Sequence, residues 1–100
     1  MYAVVRLNHF DTDKLTSSAA DVAEFDRIHG EQPGFIGSLI VDVGDGKQAT
    51  VNLWDSAESA QAALPRIGPV VARLLSPLMK ADSQLLGTGT VIKGADLIKQ

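Results

Sequence analysis

The side chains that could do chemistry in this sequence are few, and they are polar groups set among apolar neighbours. Asn8 shares the stretch Tyr2–Phe10 with Arg6 and Tyr2; Asn52 stands two residues before Trp54; Arg73 interrupts an apolar band between Val70 and Met79. An asparagine amide can stabilise an enolate or a bound oxygen species, or it can be a polar strand residue that meets a partner. Trp54 can wall a cavity for an aromatic ligand or anchor the packing at a helix junction. Arg6 can pair with a ligand carboxylate or with a neighbouring aspartate. Arg73 can face a cleft, or lay its stem over the core and keep its charge in water. His9 and His29 invite a metal or general-base reading. They sit on different elements without a carboxylate-and-histidine set, so no metal site is expected. His29 falls at a helix end, where the terminal carbonyls are its expected partners. No nucleophile elbow, phosphate loop or carboxylate pair of fixed spacing is present.

The elements that must position these residues are set by the pattern. Tyr2 to Phe10 alternates with period two, which reads as a strand. Its odd face, Ala3, Val5, Leu7 and His9, is the more apolar and is expected to pack on helices. The even face, Tyr2, Val4, Arg6, Asn8 and Phe10, suits a semi-polar cavity. Asp11 or Thr12 can cap a helix carrying Leu15, Ala19, Val22, Phe25 and Ile28 on one stripe, about four turns long and stopped by Gly30. Phe35 to Val43 is the second strand. Phe35, Gly37, Leu39, Val41 and Val43 form the face expected under the helices, while Ile36, Ser38, Ile40 and Asp42 form the other. Gly44-Asp45-Gly46 supplies a hairpin reversal, and the third strand runs from about Lys47 to Trp54. Asp55, with Glu58 three residues on, reads as the cap of the next helix. Pro65 is expected to break or kink that helix, and Pro69 to open a further one. A last strand is expected over about Leu85 to Ile92, followed by a tail, Gly94–Gln100, of unassigned role.

The order β-α-β-β-α-β predicts a single α+β domain over residues 1–100: ferredoxin-like, with a four-stranded antiparallel sheet and helices on one face. On this reading Tyr2, Val4, Ile36, Ile40 and Trp54 lie on the open face. So extensive an apolar patch usually marks an interaction surface. A second copy is the expected partner, in a two-fold homodimer.

The bulk numbers exclude other classes. One hundred residues make one domain, and 45% hydrophobic with 21% charged is ordinary for a soluble globular chain. The net charge of −3 comes without a basic run, which argues against nucleic acid and against an anionic membrane surface. The absence of cysteine excludes disulfides and thiolate metal sites and fits a reducing, cytoplasmic compartment. No stretch is long and apolar enough to span a bilayer, and the N-terminus does not read as a signal peptide.

PGFIG at the start of the second strand, the glycine hairpin, and NLWDSAESAQAAL across the strand–helix junction resemble the antibiotic biosynthesis monooxygenase (ABM) family of dimeric α+β barrels. The resemblance covers roughly Tyr2 to Ile92 in element order; its distinct motif, W-x-S-x-E-x-A, marks the fold and not one chemistry. It implies a small cofactor-independent oxygenase acting on a quinol or other small aromatic substrate. Asn8 would then orient the substrate's oxygen, and Tyr2, Arg6, Asn52, Trp54 and Arg73 would line a cleft between helices and sheet. Haem-degrading relatives share an asparagine on the first strand, which Asn8 matches. Their tryptophan and haem-ligating histidine would fall near Ala63 and Arg73, where neither stands. The alternative is a non-catalytic module that binds a small apolar ligand or serves assembly.

Overall fold

The computed structural model describes residues 1–97. Four strands, β1 (Tyr2–Phe10), β2 (Phe35–Gly44), β3 (Lys47–Trp54) and β4 (Met79–Thr90), form one antiparallel sheet in the order β2-β3-β1-β4. Three helices, α1 (Thr12–Ser17), α2 (Ala19–Gly30) and α3 (Ala57–Leu74), complete the α+β, ferredoxin-like arrangement. Short 3-10 turns come after them at Ser76–Leu78 and Ala95–Leu97. The last three residues of the tail lie outside the described residues.

Local chemistry explains most boundaries. Asp11 caps α1 by accepting from the backbone N–H groups of Asp13 and Lys14, both at 3.1 Å. The expected four-turn helix is two, because Ser18 leaves helical geometry (φ −115°, ψ 32°) between α1 and α2. Its stripe survives the break, with Leu15, Ala19, Val22 and Phe25 all facing the same interior. The cap of α3 is Ser56, one residue past the expected Asp55; its hydroxyl accepts from Ser59 N at 3.1 Å. Pro65 and Pro69 do not divide α3, which runs through both. They stand four residues apart on the exposed side, so the donors they lack would have met carbonyls on that side alone. The opposite stripe, Ala60, Ala63, Ile67 and Leu74, stays buried and holds the helix on the sheet. The chain then turns at Ser76–Leu78, and β4 begins at Met79, six residues before its expected start.

Two glycines hold the hairpin in place. Gly34 (φ +82°) sits so close to Asp55 and Ser59 that a side chain would collide with both, and its carbonyl accepts from Asp55 N at 2.8 Å. At the hairpin tip, a Cβ on Gly46 (φ +78°) would strike the carbonyl oxygen of Phe10, whose own N–H donates to Gly46 O at 2.8 Å. The segment Gln32–Leu64 is thereby tied to the end of β1 and the start of α3.

The sheet's two faces are the reverse of the sequence expectation. The helices cover Val4, Arg6, Asn8 and Phe10 of β1, with Thr50, Asn52 and Trp54 of β3. The open face carries Ala3, Val5 and Leu7 beside Ala49 and Val51, and Leu39, Val41 and Val43 stand there 54%, 55% and 54% exposed. In β2 a bulge between Phe35 and Gly37 changes the alternation. Phe35 therefore shares the covered face with Ser38 and Ile40, while Leu39 and Val41 turn outward. Tyr2, Val4, Ile40 and Trp54 are accordingly not open-face residues. Tyr2 and Val4 pack on the buried cluster of Trp54, Ala60, Ala63 and Ile67.

Candidate functional site

The covered face is not filled by its own side chains. Between sheet and helices lies a cleft of about 530 Å³, within the range of small-molecule sites. Its roof is apolar: Leu15, Val22 and Phe25 from the N-terminal helices, with Ala63, Ile67 and Val71 from α3. Its floor is polar, because strand pairing brings the inward residues of four strands side by side. Arg6 lies opposite Thr50, Asn8 opposite Gln48, and Asn52 between Val4 and Ser38.

The floor's hydrogen bonds are only partly internal. Ser38 Oγ donates to Asn52 Oδ1 at 2.6 Å, which leaves the Asn52 amide N–H groups without a protein acceptor among the described residues. Arg6 reaches only Ser83 Oγ, at 3.5 Å, and no carboxylate lies within ion-pairing distance of it among the described residues. Asn8 lines the cleft with its Oδ1 buried and unpartnered. A buried acceptor left unpaired costs roughly 1–3 kcal/mol, and this oxygen is shielded from the cleft, so it is the rest of the Asn8 amide that is available to a ligand on the floor.

At the Trp54 end the cleft is aromatic. His29 stacks on Phe25 with ring centroids 5.3 Å apart, and meets Phe35 at 4.5 Å and Trp54 at 5.7 Å edge-on. Burial holds its imidazolium form down, so its pKa lies below the usual histidine value. Asp26, one turn earlier on the same helix face, also lines the cleft, and burial raises its carboxyl above the usual carboxylate range. Among the described residues no group of three or more His, Cys, Asp or Glu side chains is placed to hold a metal, and no helix is long and apolar enough to cross a membrane.

No family model and no curated protein matches the sequence. Solved structures do. SnoaB, a cofactor-independent oxygenase from Streptomyces nogalater, superposes with a TM-score of 0.71 at 16% identity, covering 94% of this chain and 95% of that one. A putative antibiotic biosynthesis monooxygenase from Nitrosomonas europaea gives 0.72 at 11% identity, over 93% of this chain and all of the other. One from Chloroflexus aurantiacus gives 0.66 at 20% identity, over 98% of both chains. The fold is that of the antibiotic biosynthesis monooxygenases.

Within this ABM fold, Arg6, Asn8, Asn52 and Trp54 converge on the cleft. Tyr2 lies behind it, against the Trp54 cluster. Arg73 is exposed and outside the cleft, with its charge felt by Glu24 of α2. Trp54 combines both readings of a strand-end tryptophan: it is 4% exposed, a packing anchor, and its ring still walls the cavity. His29 does not serve the helix terminus as expected; it faces the cleft, and so does Asp26. The signal for both is present in the sequence. Val22, Phe25, Asp26 and His29 keep the i, i+3, i+4, i+7 spacing of one helix face, so the polar members of that stripe border the cleft, His29 half-buried and Asp26 at its exposed edge.

Proposed function

We propose that the chain is a cofactor-independent monooxygenase of a small quinol or phenolic aromatic. The observation that carries this is a cleft that sets an apolar roof over a polar floor whose Arg6 guanidinium and Asn52 amide N–H groups are left largely uncommitted among the described residues. The similarity of fold to SnoaB supports it. The apolar roof admits a flat ring, and a ring bound there displaces water from the floor, which strengthens the hydrogen bonds it makes. Asn8 orients the substrate's hydroxyl, while Arg6 and the Asn52 amide stabilise the negative charge that grows on oxygen as the ring becomes electron-rich. Dioxygen is the oxidant. A ring C–H para to the hydroxyl becomes C=O by taking one oxygen atom, the hydroxyl becomes the second C=O, and the other oxygen leaves as water with the ring hydrogen and the hydroxyl hydrogen.

Oxygen uptake with a panel of quinols and hydroxyarenes tests the reading: uptake is expected for at least one, reduced about a hundredfold in Asn8→Ala. Thermal stabilisation by the same panel without uptake would make the cleft a binding site only. The exposed Leu39, Val41 and Val43 support a second part of the proposal, that two copies pair through their open faces.

A further inference from the structure

We infer that His29 is the proton acceptor of the cleft, taking the hydroxyl proton of a phenol or quinol bound against Trp54. This rests on the proposed reading of the cleft as a site for hydroxylated aromatics. Three observations carry it. His29 is the histidine that lines the cleft; His9 lies on the opposite face of β1. Its ring is fixed from three sides by Phe25, Phe35 and Trp54, so its edge has a defined aim. Neither ring nitrogen has a hydrogen-bond partner among the described residues, which leaves one free to accept and the other to donate.

In the step assigned to it, the substrate's O–H bond breaks and the proton passes to an imidazole nitrogen. The electron pair stays on the substrate oxygen, and nothing is oxidised. The phenolate so formed is what dioxygen then oxidises. Asn52 stands two residues from Trp54 on the same face, with its amide N–H groups uncommitted because Ser38 occupies its oxygen. It is placed to donate to the new phenolate. The ionisable groups that share the chamber are Asp26 on the same helix face, Arg6 further along the floor, and Tyr2 behind Trp54; the α3 wall facing His29, Ala60 and Ala63, contributes none. None of these accounts for the lowered pKa of His29, whose cause is burial. Burial keeps His29 unprotonated, and so able to accept, in neutral solution.

The chain has only two histidines, so a His9→Gln variant assigns the imidazole NMR signals unambiguously. The probe is 4-nitrophenol, which cannot turn over as a quinol and absorbs visibly only as phenolate. It is added at a slightly acid pH where the free probe is still largely the neutral phenol. The expected result is that phenolate absorbance and the imidazolium shift of His29 rise together, in equal proportion. In His29→Asn the probe still binds but stays colourless, and turnover of any substrate found falls about a hundredfold with loss of its acid limb. Phenolate formed while His29 stays neutral would overturn the inference, as would His29 signals unmoved by the probe or colour retained in His29→Asn. Oxygen uptake is scored separately, so failure of the oxygenase reading and failure of the proton transfer are distinguishable.

Discussion

The two faces of the sheet invert the usual distribution of polarity. A sheet covered on one side normally buries its apolar face and wets its polar one. Here the face under the helices carries Arg6, Asn8, Ser38, Gln48, Thr50 and Asn52, and the bare face carries Val5, Leu7, Leu39, Val41, Val43 and Val51. Neither face is complete by itself. The covered face keeps hydrogen-bonding groups in a cavity and so calls for a ligand. The bare face shows apolar surface to water and so calls for a partner. On the proposed reading, function and assembly fall on opposite sides of one sheet.

The largest effect is expected where the covered face does both structural and binding work. Trp54→Ala should cost about 3–5 kcal/mol of stability by urea unfolding, as removal of a buried large aromatic does, and should abolish ligand-induced thermal shifts. Leu39→Ala on the bare face should cost under about 1 kcal/mol in the same assay at concentrations too low for association. Equal losses would break the contrast between the faces.

Asn8→Leu separates function from stability within the covered face. Leucine has nearly the shape of asparagine and no buried acceptor to leave unpaired, so stability should rise by about 1 kcal/mol while oxygen uptake is lost. A fall in stability would mean that Asn8 is satisfied in the resting protein and is part of the structural frame. On the bare face, Val41→Lys should shift the species in analytical ultracentrifugation toward 10.6 kDa with little change in cleft binding. A wild type already of that mass at high concentration would leave the bare face without its proposed partner copy.

The same inversion decides how much of the molecule is legible in its sequence. Element order and hairpin are readable because turn glycines and period-two alternation act locally: Gly44-Asp45-Gly46 permits one kind of reversal, and Asp11 caps α1 from the end of β1. The choice of face is not readable. Alternation shows that two faces differ but not which one the helices take, and the rule that apolar goes inside points the wrong way for β1 and β2. The bulge at Phe35–Gly37, which places Phe35 beside Trp54, leaves no mark in composition. Arg6, Asn8, Asn52 and Trp54 stand out as polar or aromatic interruptions of strands. His29 and Asp26 do not stand out against their sequence neighbours, and their membership of a helical stripe shows only at a spacing of three and four. Arg73 misleads for the converse reason: it belongs to the apolar band in sequence but not in space.

The smallest effects concern those two titratable groups, and their signs differ. His29 has its folded pKa lowered below the unfolded value, because burial disfavours the imidazolium. Its folded form therefore binds protons less readily than the unfolded chain, and stability is lost as pH falls below the unfolded histidine value of about 6.5. Below the lowered folded pKa the loss levels off, because both states are then protonated. Asp26 has its folded pKa raised by the same cause. Stability is highest with respect to Asp26 below the unfolded aspartate value of about 3.9, and falls as pH rises through the raised folded value. His29→Gln should accordingly flatten the decline of Tm between neutral and mildly acid pH. Asp26→Asn should raise Tm slightly at neutral pH and leave it unchanged where the carboxyl is already protonated. A rise in Tm for Asp26→Asn that persisted unchanged into that acid range would show that ionisation of the carboxyl is not what costs stability, and burial on the α2 wall would then not be the cause at work.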